Sequence, residues 1–185
     1  MVERPSTRIV PDPIPEALKL KVVVVGDQAV GKTSLLKRFA TGTYQDGEEK
    51  TIGSDFFSKQ YKVTPKGLVQ ITLWDLSGDP SYIDVRNEFY KESQVLFIVF
   101  DITNRKSFDA IDMWLREVSK YGGDHLQGAC VIVGNKGDLK GKRAVQKDEG
   151  ENWAKQRGFF GYYEVSAQTG DGVPALFNDV ANNFL

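Results

Sequence analysis

The chain has little of several features that would assign it to a specialised class. Its only cysteine, Cys130, lies in an apolar run over residues 129–133, which excludes a disulfide framework and predicts a buried, reduced thiol. No apolar stretch approaches the roughly 18 residues that a membrane span needs, and the first residues lack the basic and apolar regions of a signal peptide. We therefore expect a cytoplasmic protein, with the nucleus as an open alternative.

Excess charge and lipid-attachment sites are also lacking. Lys and Arg number 24 against 25 Asp and Glu, a net charge of -1, so no overall field favours nucleic acid or an acidic membrane. Val2 stands where N-myristoylation needs a glycine, and the last residue is Leu185, without a cysteine to be prenylated. The sequence predicts no nucleic-acid partner and no stable membrane anchor.

A length of 185 residues, 41% hydrophobic and 26% charged, fits one globular domain. Prolines at positions 5, 11, 13 and 15 predict a flexible leader over residues 1–17 and place the folded domain at 18–185.

Strand and helix patterns alternate from residue 18 onward, after a single hairpin with its turn at Pro65, Lys66 and Gly67. The alternation predicts an α/β fold, a three-layer sandwich around a mainly parallel sheet, whose ligands bind beyond the carboxyl ends of the strands. The predicted strands are 18–25, 55–63, 68–74, 95–100, 129–133 and 162–165, and the five predicted helices are 32–40, 82–90, 107–120, 148–157 and 173–184.

A glycine-rich loop follows the first predicted strand. Gly26 to Thr33 read GDQAVGKT, a full match to G-x-x-x-x-G-K-[ST] between a strand and a helix. Such a loop turns its backbone N–H groups toward one anion, while the lysine reaches the β- and γ-phosphates and the threonine hydroxyl ligates Mg²⁺. The predicted phosphate-binding residues are Asp27, Gln28, Ala29, Val30, Gly31, Lys32, Thr33 and Ser34.

The loops after the fifth and sixth strands predict which base is bound. In the segment NKGD, Asp138 can accept hydrogen bonds from the N1–H and 2-amino groups of guanine, which adenine lacks. Such a pair of hydrogen bonds can favour guanine over adenine nucleotides by about 10⁴-fold. In the segment SAQ, the N–H of Ala167 would meet guanine O6. The predicted base-side residues are Asn135, Lys136, Asp138, Leu139, Ser166, Ala167 and Gln168.

Two further loops predict a switch. Asp75 would hold Mg²⁺ through a water, and the N–H of Gly78 would meet a γ-phosphate. The hydroxyl of Thr51 can complete the Mg²⁺ shell only when its loop folds over a triphosphate. We therefore expect residues 42–51 and 79–82 to be ordered with Mg²⁺ and GTP and looser with GDP.

These motifs, in this order and spacing, resemble the Ras superfamily of small GTPases over residues 19–185, and the segments TIGSDF (51–56) and WD (74–75) resemble its Rab branch. The resemblance implies a monomeric GTP/GDP switch that binds effectors and an exchange factor through its switch regions. It also implies that Tyr44 stacks on the guanine and that Phe56, Trp74 and Tyr90 form an aromatic triad presented to partners. Plain core packing is the alternative for these three aromatics.

Two short segments are similar to the RJL group of Rab-like GTPases, which in animals carry a C-terminal J domain. They are VRNEFYK at 85–91 and SFDA at 107–110, with Trp114. The His-Pro-Asp tripeptide of a J domain does not occur in the sequence, so chaperone recruitment is not implied for this chain.

The resemblance also implies slow hydrolysis. Most Ras and Rab proteins have a glutamine after the segment that matches residues 75–78, and it orients the attacking water; this chain has Asp79 followed by Pro80. An ionised aspartate only accepts hydrogen bonds and adds negative charge beside the γ-phosphate, and the bulk of Gln28 adds an obstruction. The expected catalytic set is Lys32, Thr51, Gly78 and a degenerate Asp79.

Three alternatives stay open. Asp79 could instead act as a general base and support normal hydrolysis, or the protein could be a constitutively GTP-bound scaffold with negligible hydrolysis. A P-loop nucleoside or nucleotide kinase is disfavoured by the segment NKGD.

Overall fold

The computed structural model describes residues 18–63, 67–122, 124–126 and 128–184. The predicted leader and the turn residues Pro65 and Lys66 lie outside the described residues. Within them, no helix is long and apolar enough to cross a membrane.

A six-stranded sheet in the order β2-β3-β1-β4-β5-β6 forms the middle layer of the described residues. Neighbouring strands are parallel, except that β2 and β3 form an antiparallel hairpin. The strands are β1 Leu18–Val25, β2 Ser54–Val63, β3 Gly67–Leu76, β4 Val95–Asp101, β5 Cys130–Asn135 and β6 Gly161–Glu164. The helices are α1 Lys32–Thr41, α2 Ile83–Tyr90, α3 Arg105–Asp109, α4 Ile111–Gly122, α5 Lys147–Gln156 and α6 Val173–Asn183. The predicted three-layer α/β fold is confirmed.

The continuous apolar run in β1 supplies both faces of the sheet. Val22 and Val24 pack in one core with helices α1 and α6, whereas Val23 and Val25 pack in the other with α2 to α5. This split follows from the two-residue period of a strand, which turns successive side chains to opposite faces. Cys130 is buried in the second core, as predicted, and burial raises the pKa of its thiol.

The predicted helix at 107–120 begins earlier and is divided. Asn104 caps α3 by accepting a hydrogen bond from the N–H of Lys106 at 3.1 Å. At Ala110 the ψ angle is -11°, well away from the helical value of about -42°, so α3 and α4 form separate segments. The division lets Phe108 pack edge-on against Phe100 of β4.

The parallel strands β1, β3, β4 and β5 end at the same edge of the sheet. Predicted site residues lie in or directly after the ends of β1, β3 and β5, which places those residues near one another.

Candidate functional site

The loop between β1 and α1 closes around the side chain of a lysine. Lys32 Nζ donates hydrogen bonds to the carbonyl oxygens of Gly26 at 2.9 Å and Asp27 at 3.0 Å. Burial lowers the pKa of Lys32 to about 8, against the opposing effect of the carboxylate of Asp75. Gly31 has φ +90°, and a Cβ there would lie 2.4 Å from Asn135 Nδ2, so only glycine fits. The backbone of the loop thus curls tightly around the ammonium group of Lys32.

Three predicted metal ligands meet beside this loop. Thr33 Oγ1 donates to Asp75 Oδ2 at 2.5 Å, Thr51 Oγ1 donates to the same oxygen at 3.1 Å, and the two hydroxyls lie 3.1 Å apart. Burial raises the pKa of Asp75, and the hydrogen bond from Thr33 opposes that rise. The second carboxylate oxygen, Asp75 Oδ1, is buried without a hydrogen-bond partner.

This oxygen set suits Mg²⁺, a hard cation that is held by a few protein oxygens together with waters and substrate phosphates. An unpaired buried carboxylate oxygen is costly unless a cation or a water meets it. The described residues contain no group of three or more His, Cys, Asp or Glu side chains that would hold a metal without other ligands. The residues present therefore fit Mg²⁺ bound together with a phosphorylated ligand.

The loop at 42–53 lies against the start of α1 and the end of β3. The N–H of Ser77 donates to the carbonyl oxygen of Gly53 at 2.9 Å, which ties the end of this loop to the end of β3. Lys37 of α1 forms an ion pair with Glu48 at 2.5 Å. These contacts bring Thr51 to Asp75.

A cavity of about 640 Å³ opens between these loops, within the size range of small-molecule sites. Of the predicted ligand-binding residues, those that line it are Gln28, Ala29, Gly31, Lys32, Thr33, Ser34, Tyr44, Thr51, Gly78, Asp79 and Lys136. Asp27, Val30, Asn135, Asp138, Leu139, Ser166, Ala167 and Gln168 are not among the lining residues. The side chain of Val30 is buried in the core, so any ligand contact from it must come from its backbone.

Two side chains join the base-side loops to the phosphate loop: Lys136 Nζ donates to the carbonyl oxygen of Ala29 at 2.9 Å, and Asn135 makes the other contacts. Asn135 Nδ2 donates to the carbonyl oxygens of Val30 at 3.0 Å and Gly31 at 3.2 Å, and its Oδ1 accepts from the N–H of Ala167 at 3.1 Å. The N–H of Ala167 is therefore committed to Asn135, which differs from its predicted availability to guanine O6. Ser166 Oγ donates to Asp138 Oδ1 at 2.6 Å and holds that carboxylate in place.

Replacing Asn135 with Ala should destabilise the fold by about 2–4 kcal/mol, because it leaves the carbonyl oxygen of Val30 and the buried N–H of Ala167 without their partner, while the carbonyl oxygen of Gly31 keeps its bond from the N–H of Leu35. Urea unfolding of the ligand-free protein measures the effect. Asn183→Ala is the matched control, since the exposed Asn183 makes a single bond to the Asp179 carbonyl oxygen and should change stability by less than about 0.5 kcal/mol. Equal effects of the two variants would contradict a bridging role for Asn135.

Asp79 lines the cavity, but its carboxylate is used as a helix cap. Its backbone is extended, with φ -79° and ψ 128°, as expected for a residue before proline. Its Oδ1 accepts from the N–H of Ser81 at 2.9 Å and from the Ser81 hydroxyl at 2.7 Å, at the start of a 3₁₀ turn over Pro80–Tyr82. These bonds lower the pKa of Asp79.

Sequence reasoning assigned no role to Arg86, which the structure places directly behind this segment. Arg86 Nη1 donates to the carbonyl oxygens of Ser77 at 3.0 Å and Asp79 at 2.6 Å. The available signal was helical spacing: Arg86 precedes Tyr90 by four residues, so the two share a helix face. That face is buried, since Arg86 is 2% and Tyr90 0% exposed.

The predicted aromatic triad requires one correction. Tyr90 is fully buried, and its hydroxyl donates to Glu117 Oε1 at 2.5 Å, so it is not presented to partners. The aromatic cluster at the surface consists of Phe56, Trp74 and Phe89, with ring centroids 5.6 Å and 4.7 Å apart. Neighbouring helix positions differ by about 100°, so Phe89 is half-buried beside Trp74 where Tyr90 points to the core.

Comparison with known proteins gives concordant matches. The sequence model of the Ras family matches residues 21–185. The chain is 36% identical over 165 residues to DnaJ homolog subfamily C member 27 of Danio rerio, covering 88% of this chain and 60% of that protein. The Homo sapiens protein of the same name is 35% identical over 164 residues, which cover 87% of this chain and 59% of that protein. Ras-related protein Rab-7b of Paramecium octaurelia is 32% identical over 163 residues, covering 87% of this chain and 79% of that protein.

Proposed function

We propose, since the chain belongs to the Ras family as a Rab-like small GTPase, that this GTP-binding switch requires Mg²⁺ and hydrolyses GTP slowly. The chain spans about 60% of the length of the DnaJ homologues that it matches, so the proposal concerns this domain. The convergence of Thr33, Thr51 and Asp75 on one point carries it.

Mg²⁺ would be held by the hydroxyls of Thr33 and Thr51 and, through a water, by Asp75. When bound, the cation would neutralise charge on the phosphates. Thr51 belongs to the loop that folds over the cavity, whereas Thr33 begins α1 and Asp75 lies in the sheet. Loss of the γ-phosphate therefore removes support from the loop while leaving the rigid part of the site intact.

The nucleotide would lie along the cavity from Lys32 to Lys136. Lys32 Nζ and the N–H groups of the phosphate loop and Gly78 would bind the phosphates. A Cβ on Gly78 would lie 2.6 Å from backbone atoms of Asp27 and Gln28, so the two phosphate-facing segments pack as closely as glycine allows. Asp138 would accept from guanine, with Tyr44 against the base.

Partners would bind at the apolar surface beside the switch loops. Ile52, Phe56 and Val85 are 79%, 58% and 40% exposed, and Trp74 and Phe89 continue this surface. Since residue 52 lies in the loop that would contact the nucleotide, effectors and exchange factors that cover this surface would sense the bound state. We propose a monomer that acts through these contacts.

Chelation of Mg²⁺ should speed release of bound GDP by at least about tenfold, because the phosphates lose a cation worth more than about 1.4 kcal/mol. A fluorescent GDP analogue, followed with and without EDTA, measures the rate. Thr33→Ala should raise the basal rate and reduce the response to EDTA. An unchanged rate in EDTA would exclude Mg²⁺ from the site.

A constitutively GTP-bound scaffold is the second candidate, and the capped carboxylate of Asp79 favours it. The nucleotide that co-purifies with the protein separates the two: GDP supports a hydrolysing switch, GTP supports the scaffold, and ATP or a nucleoside monophosphate would contradict both.

A further inference from the structure

A buried arginine connects the second switch segment, residues 77–82, to helix α4. Besides its bonds to the carbonyl oxygens of Ser77 and Asp79, Arg86 donates from Nε and Nη2 to the two carboxylate oxygens of Glu117, at 2.7 Å and 2.8 Å. Four of the five N–H donors of the guanidinium are thereby used within the protein. Arg86 is therefore committed to this segment and not directed at the cavity.

Two further contacts hold the pair of Arg86 and Glu117, one from Tyr90 of α2 and one from Trp114 of α4. The hydroxyl of Tyr90 donates to the same Glu117 carboxylate, and the guanidinium lies over the Trp114 ring, 4.9 Å from its centroid. Trp114 Nε1 in turn donates to Asp27 Oδ1 in the phosphate loop at 2.9 Å. A buried ion pair with these additional bonds is costly to break, because the remaining charge would be left uncompensated.

Every partner of Arg86 is a group of the protein itself and is present whichever nucleotide is bound. A ligand shifts a conformational equilibrium only through contacts that differ between the two states. The loop at 42–53 has such contacts, because Thr51 approaches the metal site. By contrast, Arg86 holds the carbonyl oxygens of Ser77 and Asp79 through contacts in which a γ-phosphate takes no part.

We propose that Arg86, clamped by Glu117, is a positioning residue that keeps residues 77–82 in one conformation with either nucleotide. The loop at 42–53 then carries the nucleotide-dependent signal alone. This inference rests on the proposed switch function, and it replaces the expectation that both segments loosen with GDP.

Hydrogen exchange of the full chain, loaded with Mg²⁺ and either GDP or a non-hydrolysable GTP analogue, tests the proposal. In the wild type, amides of 42–53 should exchange at least about tenfold faster with GDP, and those of 77–82 should differ by less than about twofold. In Glu117→Gln, residues 77–82 should also exchange at least about tenfold faster with GDP.

The matched control is Glu164→Gln. Arg143 makes an equivalent two-bond pair with Glu164, at 2.6 Å and 2.8 Å, between the loop before α5 and strand β6. This variant loses the same chemistry and should leave the exchange of 77–82 independent of nucleotide.

Different outcomes would contradict the role of Arg86 and the proposed switch function. If 77–82 and 42–53 respond equally in the wild type, or if folded Glu117→Gln leaves 77–82 unresponsive, Arg86 is not the clamp. Should Glu117→Gln fail to fold, Tyr90→Phe removes one bond to Glu117 while keeping the ring, and it must produce a smaller gain in the same direction. If neither segment responds in the wild type, the switch function fails and this proposal fails with it.

Discussion

Asp138→Asn should lower the affinity for GDP by about 10³- to 10⁴-fold and create a preference for xanthosine diphosphate. A carboxylate that accepts from N1–H and the 2-amino group becomes an amide whose NH₂ faces the 2-amino donor of guanine, so an attraction is replaced by two opposed donors. Xanthine carries a 2-oxo group at that position and accepts from the new amide.

The structure indicates that this substitution will exchange specificity without disordering the loop. Asp138 Oδ1 accepts from Ser166 Oγ, and an asparagine can accept the same bond with its own Oδ1, leaving its NH₂ toward the base. Competition titrations with the two diphosphates measure the change. Asp171→Asn, an exposed residue of the β6–α6 loop, is the control and should leave both affinities unaltered. Full GDP affinity in Asp138→Asn would remove the assignment of this residue to the base.

The sequence allowed prediction of those parts of the site that short, local patterns encode. The P-loop spacing and the strand that precedes it placed Lys32 and Thr33, and the ends of parallel strands placed Asp75 and Asn135 near them. That topology also brings the hydroxyls of Thr33 and Thr51 to the same carboxylate oxygen of Asp75. The set of ligands assigned to the nucleotide remains a prediction.

What the sequence did not reveal depends on packing between distant elements. Glu117 lies 31 positions after Arg86, and an arginine in an amphipathic helix is ordinarily solvent-exposed. The direction of Tyr90 depends on the phase of a short helix, where an error of one residue turns the side chain by about 100°. Commitment of the Ala167 N–H to Asn135 depends on how two loops dock, which neither loop encodes alone.

Single-turnover GTP hydrolysis by the wild type should be slower than about 10⁻⁴ per second, the intrinsic level of Ras. The reason is now structural as well as chemical. The carboxylate of Asp79 is held by Ser81, Pro80 keeps its backbone extended, and Arg86 holds its carbonyl oxygen at 2.6 Å. The side chain therefore caps the 3₁₀ turn and does not face the attacking water. It also lacks the amide donor that stabilises charge on the transferred phosphoryl group.

Substitutions at this position separate the contributions of chemistry and geometry. Asp79→Gln alone should raise the rate only about two- to threefold, because Pro80 and Arg86 still fix the backbone. The double variant Asp79→Gln with Pro80→Ala should raise it at least about tenfold, because the glutamine can then reach the attacking water. Asp79→Asn is the decisive control: asparagine still caps the turn but cannot accept a proton as a base. An unchanged or higher rate in Asp79→Asn is expected, and a rate that falls more than about tenfold would identify Asp79 as a general base.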